Sequence, residues 1–269
     1  MTPRNGVLPP DGFIEARGYR LEFKYQRGGS LPSTVLVFLH EGLGCVDLWR
    51  DFPAQLATAT GMSWFAYSRA GYGRSDPVAL PRPVRFMENE AEFVLPRVLD
   101  YCGFDEVIYV GHSDGASIAL LNAALAPSAS LVGLILMAPH VFVEEVSLEG
   151  IRVAARSYRE TNLRERLRRF HGERVDGAFW GWNQVWQDPA FRDWDITAAI
   201  EGVTHPLMLL QGHDDAYGTM AQLDAIEAAV AGPVTRVELE ACGHTPFRDQ
   251  GPATLRACRE FVQTLVRRD

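Results

Sequence analysis

The sequence predicts an α/β fold, with a mostly parallel central sheet flanked by helices on both faces. Three observations lead to that class. Short apolar runs recur at residues 34–39, 63–67, 107–110, 131–137 and 206–210; each has the length of a strand, and most lack the polar alternation of a half-exposed one. Stretches with helical patterning separate many of these runs, so successive strands are joined by crossovers. The runs end in loops rich in Gly, His, Ser and Asp, and open sheets of this kind bind ligands beyond the carboxyl ends of their strands.

In chain order, residues 13–25 alternate apolar and polar side chains around Arg17-Gly18 and predict an antiparallel hairpin at a sheet edge. Residues 34–39 (TVLVFL) predict a buried strand that ends in His40-Glu41-Gly42-Leu43-Gly44. A helix is expected over residues 48–60, with Pro53 in or before its first turn and Gly61 as its stop. Residues 63–67 give the next strand, and residues 84–101 a helix kinked at Pro96. Strands at 107–110 and 131–137 follow. Strand-like runs then vanish over residues 141–203, arginines accumulate and four tryptophans cluster (Trp180, Trp182, Trp186, Trp194). This stretch is expected to form a helical cap inserted into a core made of residues 1–140 and 204–269. The sheet resumes at 206–210 and 234–239, with helices over about 219–231 and 253–266.

Composition narrows the function. The 269 residues suffice for one large domain, and 47% hydrophobic with 22% charged residues is ordinary for a soluble enzyme. A net charge of -8 argues against nucleic acid or an anionic membrane as partner, and leaves a homo-oligomer open. The first twelve residues lack an apolar core and no run reaches membrane-span length, so neither a signal peptide nor a membrane segment is expected and a cytoplasmic location is. Cys45, Cys102, Cys242 and Cys258 are scattered without a C-x-x-C pair, which fits reduced thiols. No His/Asp/Glu spacing suggests a metal, and no cofactor is expected.

The chemistry centres on VIYVGHSDGASIA, residues 107–119. It reads strand, sharp turn, helix. A serine at such a turn sits in strained backbone geometry, with flanking glycines removing side chains that would collide with the neighbouring strand and helix. The helix that follows aims unpaired N–H groups and its positive dipole end at charge forming there. Ser113 is thus placed as a nucleophile, and Asp215 and His244 follow it, each just after an expected strand.

HEGLG, GHSDG, QGHDD and CGHTPF, in this order, resemble the α/β-hydrolase superfamily over nearly the whole chain, specifically a cap-containing serine hydrolase of the esterase or carbon–carbon bond hydrolase kind. The resemblance implies Ser113 as nucleophile, His244 as base and Asp215 as the acid that orients it, with Asp214 as the competing acid. It implies an oxyanion hole from the backbone N–H groups of Asp114 and Gly42, or of Leu43 if Glu41 is an insertion in the usual His-Gly loop. Glu41 departs from the family pattern: it either binds a cationic group or positions water, or points outward into a salt bridge. Asp114 stands where a small or apolar residue is common and either serves a substrate amine or pairs with an arginine. His140 either lines the site or is a satisfied hinge histidine, and His112 is expected to be structural. Trp180, Trp182 and Trp186 cannot all share one helical face, so at least one is expected to point toward the catalytic core; each either stacks on the acyl group of a substrate or belongs to the cap's own core. The arginines of the cap read as a solvated face. The expected function is a cofactor-free serine hydrolase acting on a small carboxylic ester or related acyl substrate. Its rivals are a carbon–carbon bond hydrolase or enol-lactonase of aromatic degradation, and a non-catalytic ligand-binding member of the fold.

Overall fold

The computed structural model describes residues 8–266. The chain opens with the hairpin β1 (Asp11–Ala16) and β2 (Tyr19–Gln26), which turns at Arg17 and Gly18, both with positive φ (53° and 83°). β3 (Leu31–Leu39), α1 (Phe52–Thr60) and β4 (Met62–Tyr67) follow. The helix expected from residue 48 starts four residues later. A 3-10 turn occupies Val46–Trp49 and Arg50 takes a positive φ of 56°, so the α-helix begins where Pro53, which has no N–H, fits its first turn.

Next come α2 (Phe86–Asn89), a π turn at Glu90–Val94 and α3 (Leu95–Cys102). The π turn explains the irregularity expected at Pro96. The Leu95 N–H bonds the Glu90 carbonyl, five residues back, so the Ala91 carbonyl would next take the N–H of residue 96, which proline lacks. The Asn122 side-chain amide donates to it instead at 2.7 Å, while Tyr109 Oη donates to Asn122 Oδ1 at 2.8 Å. Three elements thereby share one satisfied buried network.

β5 (Glu106–His112), α4 (Asp114–Leu125) and β6 (Leu131–Met137) form the centre of the sheet. Between β6 and β7 (Leu207–Gly212) the chain leaves the sheet for α5 (Glu145–Glu160), α6 (Leu163–His171) and α7 (Val175–Trp186). Both ends of this helical excursion are tied together by a Phe142–Asp195 bridge and by the Ile196 N–H on the Val141 carbonyl at 2.8 Å. α8 (Ala221–Ala229), β8 (Val234–Leu239), α9 (Pro246–Asp249) and α10 (Gly251–Val266) complete the chain.

The eight strands are ordered β1-β2-β4-β3-β5-β6-β7-β8, with β1 and β2 antiparallel and β3 to β8 parallel. Strand alternation builds the two core layers. Val35, Val37 and Leu39 face the layer of α2 to α4 and α8, whereas Leu36 and Phe38 face α1 and α10. The chain steps from β3 to β4 on one side, then returns to place β5 on the other. That reversal opens a crevice at the carboxyl ends of β3 and β5, where the HEGLG loop and Ser113 both lie. No helix among the described residues is long and apolar enough to cross a membrane.

Candidate active site

Ser113 caps the turn from β5 into α4 with φ 53° and ψ -123°, a conformation costly for a residue with a side chain. The surroundings impose it. The Ser113 N–H is taken by the Met137 carbonyl at 2.9 Å and the Ser113 carbonyl by the Ala116 N–H at 2.8 Å. A Cβ on Gly115 would lie 2.0 Å from the Leu39 carbonyl oxygen, and one on Gly111 2.5 Å from the Ala116 Cα. Only glycines at these positions let strand, turn and helix approach so closely.

The hydroxyl so exposed meets the loops after β7 and β8. Ser113 Oγ is 2.9 Å from His244 Nε2, and His244 Nδ1 is 2.8 and 2.9 Å from the two Asp215 carboxylate oxygens. Asp215 Oδ1 also accepts the Tyr217 N–H at 2.8 Å. Burial pushes the Asp215 carboxyl up, but the His244 charge and hydrogen bond, with the Tyr217 amide, outweigh it and hold the group below its ordinary value. Asp214 is exposed and spends its N–H on the Cys242 carbonyl; it does not reach His244. Tyr217 has no signal of its own in the sequence, and Gln211 stands in QGHDD with no role assigned to it. The Tyr217 ring lies 4.7 Å from that of His244, and the Gln211 amide bonds the Gly218 carbonyl at 2.8 Å.

The HEGLG loop is a turn closed by the Gly44 N–H on the Glu41 carbonyl at 3.0 Å, which leaves the Gly42 and Leu43 N–H groups outside that bond. Its support comes from afar. Arg69, buried after β4, donates to the His40 carbonyl and, at 2.9 Å, to the Glu41 carbonyl, and its own N–H donates to His40 Nε2 at 3.0 Å. His40 is therefore a neutral ring with its proton on Nδ1, which donates to the Glu41 carbonyl at 2.7 Å; burial and then Arg69 hold its pKa well below the ordinary value. A trans peptide sets N–H opposite C=O, so pinning the Glu41 carbonyl also fixes the Gly42 N–H. From α6, His171 accepts the Gly73 N–H on Nδ1 at 3.0 Å and donates from Nε2 to the Leu43 carbonyl at 3.0 Å. Neither Arg69 nor His171 belongs to a motif, and nothing local in the sequence marks them.

These loops surround a cavity of about 200 Å³ lined by Glu41, Gly42, Ser113, Asp114, His140 and His244, among others, and closed by Ile151, Trp182 and Trp186 of the helical excursion. Trp182 closes over the loop so tightly that a Cβ on Gly42 would lie 2.2 Å from its Nε1. Trp186 donates to Asp114 Oδ1 at 3.3 Å. Trp180 is not brought to the cavity. It lies two residues round the helix from Trp182, packed against Tyr158 and Phe179 with the Arg159 guanidinium over its ring. Glu41 does not reach outward into a salt bridge: its carboxylate lies beside the cavity, 3.6 Å from His112 Nδ1, while His112 Nε2 bonds the His244 carbonyl at 2.6 Å. Asp114 is not paired with an arginine. His140 lines the cavity, its ring 5.7 Å from that of His244, and burial pushes its pKa down to about 3, so it is neutral. No group of three or more metal-ligating side chains occurs among the described residues.

A protein-family model described as the alpha/beta hydrolase family matches residues 36–257. No curated protein matches the sequence. Among solved structures, a thermophilic esterase from Thermogutta terrifontis superposes with a TM-score of 0.72 at 19% identity, over 95% of this chain and 98% of that one. A serine hydrolase involved in carbazole degradation gives 0.74 at 17% identity over 94% and 98%. A proline iminopeptidase from Mycobacterium smegmatis gives 0.70 at 16% identity over 94% and 98%. At such identities the likeness is one of fold. The family match spans most of the chain, and the eight-stranded sheet agrees with it: this protein belongs to the alpha/beta hydrolase family.

Proposed function

We propose that the protein is a serine hydrolase that cleaves a small carboxylic ester through an acyl-enzyme on Ser113. The observation that carries this is the unbroken chain from Ser113 Oγ to His244 Nε2 to Asp215, at 2.9 and 2.8 Å. Ser113 Oγ attacks the carbonyl carbon while His244 Nε2 takes its proton. Asp215 stabilises the imidazolium and keeps its Nδ1 proton in place. The oxyanion is held by the N–H groups of Asp114, at the start of α4, and of Gly42, whose peptide Arg69 fixes. His244 then protonates the departing alcohol, and water, activated by the same ring, releases the acid and restores Ser113. Residues 141–203 act as the cap that bounds the acyl pocket, and residues 1–140 with 204–269 as the catalytic core. A volume of about 200 Å³ favours a short acyl group over a long chain.

Intact-protein mass spectrometry after incubation with a fluorophosphonate, with peptide mapping and a Ser113→Ala control, tests this reading. A single adduct on Ser113, missing from the variant, is expected. Folded protein that stays unlabelled overturns the reading.

A further inference from the structure

The carboxyl of Asp114 has no part in the reaction as written, and its placement is costly. The residue is 1% exposed. Oδ1 accepts only the long bond from Trp186, and Oδ2 has no hydrogen-bond partner. Neither guanidinium that acts on it through space bonds it: Arg69 is held by the carbonyls of His40 and Glu41, and Arg82 by that of Ala70 through Nη2, its Nε being without a partner as well. An unanswered buried polar atom is destabilising, and more so if charged. An ionised carboxylate beside an oxyanion hole would also oppose the charge that forms there. The side chain therefore helps catalysis only if a substrate group answers it.

Geometry limits where that group can sit. Oδ2 lies over the oxyanion loop, 3.1 Å from where a Cβ on Gly42 would be, and the N–H that would hold the carbonyl oxygen belongs to Asp114 itself. Backbone N and side-chain oxygens of one aspartate are separated by about 3–5 Å. A group that meets Oδ2 while the carbonyl oxygen meets the N–H must stand on the first or second carbon beyond the carbonyl. Its chemistry follows from the surroundings. Burial pushes the Asp114 carboxyl above its ordinary range, while Arg69 and the Trp186 N–H pull it back. An ammonium would suit only the ionised form, and a ketone only the protonated form. A hydroxyl donates and accepts, and so suits both.

We propose that Asp114 is a specificity residue whose Oδ2 hydrogen-bonds a hydroxyl on the α or β carbon of the acyl group, making short 2- or 3-hydroxyacyl esters the substrate class. This rests on the serine-hydrolase reading above. The test compares kcat/KM for phenyl esters of butanoate, 2-hydroxybutanoate, 3-hydroxybutanoate, 3-aminobutanoate and 3-oxobutanoate on the wild-type protein, Asp114→Asn and Asp114→Leu, with fluorophosphonate labelling of Ser113 run on each. At least one hydroxyacyl ester is expected to exceed butanoate by tenfold or more on the wild type. Asp114→Leu should abolish or invert that ratio, and Asp114→Asn should retain part of it. Labelled wild-type protein that prefers butanoate, the amino or the oxo ester, or that turns over none of them, overturns the Asp114 assignment alone. The same holds for a hydroxyacyl preference that survives Asp114→Leu. Wild-type protein that neither labels nor turns over any ester overturns the hydrolase reading and this assignment with it.

Discussion

The turn at Ser113 and the HEGLG loop face each other across one crevice, yet they are held in opposite ways. The turn at residues 111–115 is fixed by its own chain and the two strands beside it: backbone hydrogen bonds to Met137 and Ala116, and glycines pressed against Leu39 and Ala116. The loop at residues 40–44 has one internal backbone bond. Otherwise it hangs on side chains, Arg69 from beyond β4 and His171 from α6, 128 positions from Leu43. Backbone hydrogen bonds and close backbone packing make the first rigid, whereas the second is only as rigid as its distant supports.

The sharpest way to break this contrast is to remove the loop's main support and leave the turn untouched. Arg69→Met should lower kcat/KM by about 10²–10³, mostly through kcat, the range seen when an oxyanion donor is lost. Fluorophosphonate should still reach Ser113, and steady-state kinetics with labelling rates separate the two. Arg69→Lys keeps the charge but not the fork that spans two carbonyls, so a loss of about tenfold or more should remain. The turn should fail differently. Gly115→Ala puts a methyl group against the Leu39 carbonyl, and chemical denaturation should show about 2–4 kcal/mol lost because neither backbone can yield. A Gly115→Ala protein of normal stability would show that the turn, too, is soft.

A milder effect is expected at the α6 support. His171→Phe fills the space but leaves the Gly73 N–H and the Leu43 carbonyl without partners, at about 1–3 kcal/mol of stability. Its activity should fall by less than that of Arg69→Met, because the Glu41 carbonyl keeps its other bonds. The last effect concerns pH. His140 titrates near 3 when folded against 6.5 in an unfolded chain, so the unfolded state binds more protons between those values and stability falls as pH drops through that window. His140→Gln should flatten the fall, read as the slope of melting temperature against pH. An unchanged slope would place the acid sensitivity on the other buried histidines, His40 and His171, whose pKa values burial also lowers.

The same contrast governs what the sequence discloses. The fold was legible because sheet and crossover patterns are periodic and local, and because buried parallel strands such as residues 34–39 read as unbroken apolar runs. The turn around Ser113 was legible for the same reason, since its glycines are neighbours of the residue they serve. The resemblance pointed to Asp215 rather than Asp214, and the structure puts Asp215 against His244. Arg69 and His171 were not legible, because each acts on a residue that only the folded chain brings near, and Tyr217 was not, because it acts without a motif. The tryptophans show the limit most clearly. Helical spacing separates Trp180 from Trp182 and Trp186, but both faces of α7 are apolar, and only the contact of Trp180 with Tyr158 of α5 decides which face meets the cavity. Likewise the start of α1 at Phe52 follows from the 3-10 turn and the positive φ of Arg50, which no propensity announces.

The bridge between Phe142 and Asp195, outside the strands of the sheet, makes the helical excursion a closed ring whose two ends touch. A ring with touching ends can lengthen, shorten or be replaced without altering the spacing of β6 and β7, since loop closure costs little more as loops grow. Such an arrangement separates inheritance of the sheet-borne side chains of the crevice from inheritance of the cavity wall, and lets one scaffold be refitted with a new wall. Here the exchange carries a condition. Any replacement must bring its own partner for the Leu43 carbonyl and the Gly73 N–H, or the transplanted wall would arrive with a slackened HEGLG loop.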